Sequence, residues 1–251
     1  MALPQRATLD DVARLAGVSR KTASRVYSEP EKVAAATREQ VLAAARRLRF
    51  RPNTLARTLR RGGTTPTVGL LIGEMSNPFY HAVAAGIEHE LSASGLTLVM
   101  GSSDDTEEGE ERVADALLSQ RVAALLMIPS AADQSYLDGE RQLGTPVIAV
   151  DRPARNLLAD AVLLQNRAGA RQAAEALLNA GHRRIAYLAS PADIHTQHER
   201  LAGYREAMAA AGLGDTAALE HLSDDVVEDA VARAALDTAE PPTAWWPATT
   251  G

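Results

Sequence analysis

Arg20, Lys21 and Arg25 place three cations close together, with Ser19, Thr22 and Ser24 among them. An arginine fork pairs bidentately with guanine, while lysine and hydroxyl side chains bind base edges or phosphates. At about 100° per residue, Thr22, Val26, Ser19 and Ala23 share one arc of about 100°, and Arg20, Ser24, Lys21 and Arg25 share an opposite arc of about 140°. An amphipathic surface helix satisfies this pattern. So does a recognition helix in a major groove, whose N-terminal residues point at base edges.

Other chemistries find little support. Cysteine is absent, so disulfide scaffolds, thiolate metal sites and cysteine nucleophiles are excluded. There is no G-x-G-x-x-G, Walker or G-x-S-x-G pattern. His195 and His198 are three apart, but no nearby Asp, Glu or Cys set completes a metal site. The expectation is a chain with no cofactor, no metal and no catalytic residues.

The cations sit in elements that the sequence marks clearly. Thr8 caps a first helix with Asp10 and Asp11 in its first turn, and Leu9, Val12, Ala13 and Ala16 follow helical spacing. Gly17 ends that helix, Val18 is an apolar plug, and Ser19 caps the second helix, which together make a helix-turn-helix. A third helix is expected to begin at the capping box Thr37-Arg38-Glu39-Gln40, with Val41, Leu42, Ala45 and Leu48 inward. Pro52 breaks it. Asn53 can then cap a short helix running to Arg61, ahead of Gly62-Gly63-Thr64-Thr65-Pro66.

Charge divides the chain at the same place. Residues 1–61 carry 14 Lys and Arg against 5 Asp and Glu, whereas the whole chain has a net charge of −6. A basic head on an acidic body suits a head that meets a polyanion.

From Val68 onward, strand and helix alternate. The strands are 68–72, 96–100, 123–128 and 147–150, with a second series starting at 161–164 and continuing at 185–189; helices lie between most of them. This pattern implies parallel sheets covered by helices. Ligands in such sheets lie beyond the carboxyl ends of strands. That rule selects Asn77-Pro78-Phe79, Ser102 to Asp105, Asp151-Arg152, Asn166 and the segment leading to Arg200, each of which is also compatible with an ordinary turn or cap.

The run Thr8-Leu-Asp-Asp-Val-Ala-Arg-Leu-Ala-Gly-Val-Ser-Arg-Lys-Thr-Ala-Ser-Arg-Val26, followed by Val33 to Arg49 and Pro52-Asn-Thr-Leu-Ala-Arg-Thr-Leu59, closely resembles the lactose repressor/galactose repressor (LacI/GalR) family. The body resembles that family's periplasmic-binding-protein-like effector domain through Asn77-Pro-Phe-Tyr80, Ala180-Gly-His-Arg-Arg-Ile185 and Glu199-Arg-Leu-Ala-Gly-Tyr204. The resemblance implies a small all-α helix-turn-helix head at 7–52, a hinge helix and linker at 53–66, and an α/β ligand-sensing domain at 67–251 made of two subdomains, the second incomplete. It implies a repressor that binds double-stranded operator DNA as a homodimer under control of a sugar-like effector, in the cytoplasm. Arg20, Lys21 and Arg25 then read bases, and Thr22 and Ser24 touch phosphates. Thr8, Ser19, Asn53, Ala56 and Leu59 complete the DNA-binding set, Leu59 as a minor-groove wedge or as hinge packing. In the ligand set Phe79 stacks on the effector, Asp151 is acidic at the pocket, and Arg200 binds sugar hydroxyls, with Ser102 and Asn166 beside them.

The resemblance runs from about residue 7 to 244 and then fails at Trp245-Trp-Pro-Ala-Thr-Thr-Gly251. If Ala244 is encoded GCG, reading one base back turns the two TGG codons into Val-Val, and the following codons allow Ala-Gly-Asn-Asn-Arg, close to what the family has there. The expectation is a frameshift near codon 245 and a truncated repressor with an open sheet edge and weak, mainly nonspecific DNA binding.

Three rivals remain at this point. A sugar-transport protein of the same fold needs a signal peptide and no DNA head. A doubly wound enzyme needs a nucleotide loop or catalytic constellation. An architectural DNA-binding protein would bind without sequence preference. No apolar run approaches the roughly 18 residues of a membrane span.

Overall fold

The computed structural model describes residues 7–51, 65–189, 194–215, 220–222 and 241–247. The chain forms two compact units, Met1–Gly63 and Thr64–Gly251.

The first unit contains α1 (Leu9–Leu15), α2 (Arg20–Ser28) and α3 (Ala35–Arg47), with a 3-10 turn at Pro30–Lys32. Thr8 and Asp11 form a reciprocal capping box at the start of α1. Gly17 follows it with φ +66°, the left-handed geometry that an L side chain rarely adopts. Ser19 Oγ accepts the Thr22 N–H at 3.0 Å and so caps α2. Val12, Ala13, Ala23, Val26, Val41, Ala44 and Ala45 make the core, with Tyr27 and Phe50 packed at its margin. The expected start of α3 is corrected. The helix begins two residues before Thr37, and its N-cap, Ala34, makes no side-chain hydrogen bond. The strong helix formers Ala35 and Ala36 extend it past the apparent capping box. Asn53, Ala56, Leu59 and the expected hinge helix lie outside the described residues.

The second unit holds two parallel sheets. β1 (Thr67–Ile72), β2 (Thr97–Ser102), β3 (Ala124–Met127), β4 (Val147–Val150) and β5 (Asp160–Val162) are ordered β2-β1-β3-β4-β5. The register aligns Val68 with Leu98 and with Ala124, and Leu125 with Val147. Alternate side chains of the sheet pack against opposite layers. Leu71, Leu125 and Met127 meet Val113, Ala114 and Leu117 of α5 (Glu107–Leu118), while Leu70, Ile72 and Ile128 meet Tyr80 of α4 (Pro78–Ala93). Each fully buried leucine or isoleucine contributes roughly 1.5–3 kcal/mol. A short helix, α6 (Asp138–Gln142), precedes β4.

β5 corrects a second expectation. Instead of opening a second series, it closes the first sheet, with Ile148 beside Asp160 and Val150 beside Val162. The segment between β4 and β5 carries no helix, so strand–helix alternation cannot assign it. The second sheet, β7 (Glu220–Leu222), β6 (Ile185–Ala189) and β8 (Ala244–Pro247), has β6 at its centre. Its core joins Ala174 and Leu178 of α7 (Asn166–Asn179), Ile185, Tyr187 and Ala189, and Tyr204, Ala207 and Met208 of α8 (His195–Ala210). The backbone at residues 244–247, partly within the segment expected to be aberrant, runs parallel to β6 with Ala186 beside Trp245.

Candidate functional site

The helix-turn-helix builds its outer surface from the residues that its core rejects. Ala23 is 0% exposed and Val26 4%. They fix the rotation of α2, so Arg20, Lys21 and Ser24 are exposed and Arg25 is half-exposed. Thr22 is half-buried, and its hydroxyl lies 2.9 Å from that of Ser19. Thr8 is committed to the α1 cap: its N–H donates to Asp11 Oδ2 at 2.9 Å and its hydroxyl at 2.7 Å. Arg20 Nε lies 3.2 Å from Asp10 Oδ1, and Arg25 Nε 3.8 Å from Glu29 Oε2. Lys21 makes no ion pair among the described residues. The face is a cationic ridge with hydroxyls at its edges, held by two capped helices.

In the second unit, the carboxyl ends of β1, β2 and β4 converge. Asp151, directly after β4, adopts φ +65°, a left-handed conformation stored at a strand end. Its side chain is 3% exposed; Oδ2 lies 3.8 Å from Arg152 Nε, and Oδ1 has no hydrogen-bond partner among the described residues. Burial pushes the Asp151 carboxyl above the ordinary carboxylate range, against the opposing pull of Arg152, Arg200 and His195. A buried carboxylate with one unused oxygen is a ready acceptor for a hydroxyl.

Arg152 organises this end of the sheet. Nη2 donates to Tyr80 Oη at 2.9 Å, Nη1 donates to the Pro129 carbonyl at 3.2 Å, and Nη1 lies 3.6 Å from Asp105 Oδ1. Burial pushes the Tyr80 hydroxyl up to about 12 and raises the Asp105 carboxyl. A Cβ at Gly73 would sit 2.7 Å from Asp105 Cγ, so a larger residue there must push the Asp105 carboxylate aside. Asn77 caps α4 by accepting the Phe79 N–H at 2.9 Å, which fixes Phe79 and Tyr80 on the first turn. The half-buried Phe79 ring is tilted against Tyr80 at 5.7 Å.

Of the residues singled out from sequence, Arg200 and Asn166 meet directly, Arg200 Nε donating to Asn166 Oδ1 at 2.8 Å. Arg200 also acts electrostatically on Asp151. Ser102 has its hydroxyl within hydrogen-bond reach of the Gly73 carbonyl and 2.9 Å from Asp104 Oδ1, so it braces the loops after β1 and β2. Beside Asn166 an open cavity of about 410 Å³ is lined by Leu164, Gln165, His195, Glu199 and Glu206 among others. Sequence reasoning assigned no role to Gly73, carried Tyr80 only within the resembling Asn-Pro-Phe-Tyr run, and selected Asp105 and Arg152 as strand-end candidates without showing that they pair. The available signals were Tyr80 beside the Asn-Pro-Phe run and Arg152 beside Asp151.

Residues 8–53 match the family described as bacterial regulatory proteins, lacI family. Residues 65–244 match periplasmic binding proteins and the sugar binding domain of the LacI family. The chain is 37% identical to the HTH-type transcriptional regulator CelR of Thermobifida fusca, over 94% of this chain and 71% of that protein. A structure described as a CelR–cellobiose complex is similar with a TM-score of 0.55 at 34% identity, covering 88% of this chain and 66% of that one. The lac repressor dimer bound to operator and the anti-inducer ONPF is similar with a TM-score of 0.71 at 27% identity, covering 83% and 63%. The chain thus spans about two thirds of the length of these relatives. With both family descriptions matched in chain order, one on the helical head and one on the α/β unit, the protein belongs to the LacI family of bacterial regulatory proteins.

Proposed function

We propose that this chain is a sequence-specific DNA-binding transcription regulator, a cytoplasmic repressor and not an enzyme, whose hold on double-stranded operator DNA is set by a sugar-class effector. The observation that carries the reading is the α2 surface: a buried Ala23–Val26 side that fixes an outward Arg20, Lys21, Ser24 and Arg25. Phosphate contacts supply most of the affinity and its salt dependence; the arginine forks add base preference. Thr22, Ser24 and the capped starts of α1 and α2, with Thr8 and Ser19, orient the head on the backbone. The segment of Asn53, Ala56 and Leu59 serves as the hinge that reaches the minor groove, and a homodimer presents two heads to two half-sites.

The effector site is proposed at the strand ends, with the boundaries 7–52, 53–66 and 67–251 separating reader, hinge and sensor. Asp151 accepts a sugar hydroxyl, Arg200 held by Asn166 donates to another, and Phe79 offers a ring to a C–H face. Ser102 shapes the rim by bracing Gly73. The named ligand of the CelR complex, cellobiose, supports a sugar class. Because ligand and DNA favour different arrangements of the same chain, binding one changes the affinity for the other.

The test is selection of duplexes from a random pool by the full chain at about 50 mM salt, where phosphate contacts retain weak complexes. A base preference that Arg20→Ala and Arg25→Ala each relax at different positions is the expected outcome. A pool returned without preference refutes sequence-specific recognition by this chain and leaves the weak, nonspecific binding expected of a truncated repressor.

A further inference from the structure

Two adjacent acids stand in the first turn of α1 and are used differently. Asp11 is occupied by the cap: its Oδ2 accepts from the Thr8 N–H and hydroxyl, and its Oδ1 pairs with Arg14 at 3.2 Å. Asp10 takes no part in the cap. Its Oδ1 instead lies 3.2 Å from Arg20 Nε, linking the first turn of α1 to the first turn of α2. The contact engages the inner nitrogen of the guanidinium. Among the described residues neither Nη1 nor Nη2 of Arg20 makes a hydrogen bond, and the closest ion-pair approach is at Nε.

We propose that Asp10 is a specificity-determining positioning residue, holding Arg20 by Nε so that Nη1 and Nη2 present a fixed fork to one base pair. This rests on the reading that α2 faces duplex DNA. An exposed arginine has many rotamers, and ordering them opposes binding. A carboxylate on the Nε side removes rotamers before DNA arrives and occupies the side-on edge of the guanidinium. The end-on pair of nitrogens remains, and that pair matches the two acceptors of guanine. The same carboxylate repels phosphate, so it also discourages Arg20 from swinging to the backbone. Arg25 has a longer, local version of this contact, its Nε 3.8 Å from Glu29 Oε2 four residues on, and Lys21 has no ion pair among the described residues.

The experiment uses the full chain and a random duplex pool. Arg20→Ala identifies the base position that Arg20 reads. Asp10→Asn is expected to lower discrimination at that same position by about two- to fivefold, the range of an exposed ion pair. Its overall affinity stays equal or rises, because a negative charge near the phosphates is gone. Asp10→Glu restores the discrimination in part, and Asp10→Asn has no further effect in the Arg20→Ala background. Wild-type discrimination in Asp10→Asn, at a position that Arg20→Ala does relax, overturns the inference and leaves the reading of α2 standing. A uniform loss of affinity for all duplexes also overturns it, since that reports damage to the head. If Arg20→Ala relaxes no position, the role of Arg20 fails and Asp10 falls with it.

Discussion

Removing the Glu110 carboxylate should collapse the loop that supports Arg152. Glu110 is 0% exposed, on α5. Its Oε2 accepts the backbone N–H groups of Ser130 at 2.5 Å and Ala131 at 2.9 Å; its Oε1 accepts from Gln134 Nε2 at 3.0 Å and Tyr136 Oη at 3.1 Å. The same loop offers the Pro129 carbonyl to Arg152 and Gln134 Oε1 to the Arg155 N–H at 2.7 Å. In Glu110→Ala, Gln134 keeps the Ala131 carbonyl at 2.9 Å, and the half-buried Tyr136 can turn to water. The two backbone amides carry the penalty, at roughly 1–3 kcal/mol each. With the one lost methylene at about 0.8 kcal/mol, the cost is about 3–7 kcal/mol. For a unit of this size that is a fall in Tm of roughly 6–28 °C. Glu110→Gln keeps an oxygen toward the two amides but turns an NH2 toward Gln134 Nε2, also a donor, and loses charge assistance, so about 1–3 kcal/mol is expected. Calorimetry of the full chain tests both variants, with the transition of the head as an internal control. A shift below about 1 kcal/mol in Glu110→Ala, or equal losses in the two variants, refutes the reasoning.

Arg25→Ala should cost roughly 1–3 kcal/mol on a selected duplex and relax one base position, read by titration against single-base variants. Asp151→Asn should weaken sugar binding in calorimetric titration while raising the stability of the sensor unit at neutral pH. Burial raises the folded-state pKa of Asp151, so its contribution is fully present below the unfolded carboxylate value and is lost as pH rises through the folded value. The gain in Asp151→Asn should therefore vanish in acid, and a gain that persists there contradicts the assignment. Gly73→Ala must displace the Asp105 carboxylate and with it the contact to Arg152, at a cost of about 1–3 kcal/mol in the sensor transition. An unchanged melt would show that Asp105 moves freely.

The head was legible because every local signal agrees there. Thr8, Gly17 and Ser19 punctuate the chain where the apolar spacing of Leu9, Val12, Ala13, Ala23 and Val26 requires it, and packing had nothing to overrule. The start of α3 was misread where two local signals compete, a capping box at Thr37 and the alanine run before it. β5 was placed in the wrong sheet for a different reason. Asp160, Ala161 and Val162 are all exposed, so no apolar periodicity marks their partner, and a pairing with β4 is a tertiary fact.

The sensor site divides along the same line. A parallel sheet sends its strand ends to one edge, so apolar runs followed by polar residues locate Asp151 and Ser102 without a structure. The contacts that define the edge join distant positions: Arg152 to Tyr80, Arg152 to Asp105, and Arg200 to Asn166. No local pattern encodes such a pairing. One physical trace is nevertheless present in the chain. Asp104, Asp105 and Asp151 all adopt positive φ, a conformation that aspartate tolerates better than most side chains and that turns the backbone sharply at a strand end. An aspartate there serves two purposes, permitting the turn and leaving a carboxylate at the sheet edge. Replacing Asp151 by asparagine preserves the first purpose and removes the charge, which makes that variant a clean separation of backbone geometry from ligand chemistry.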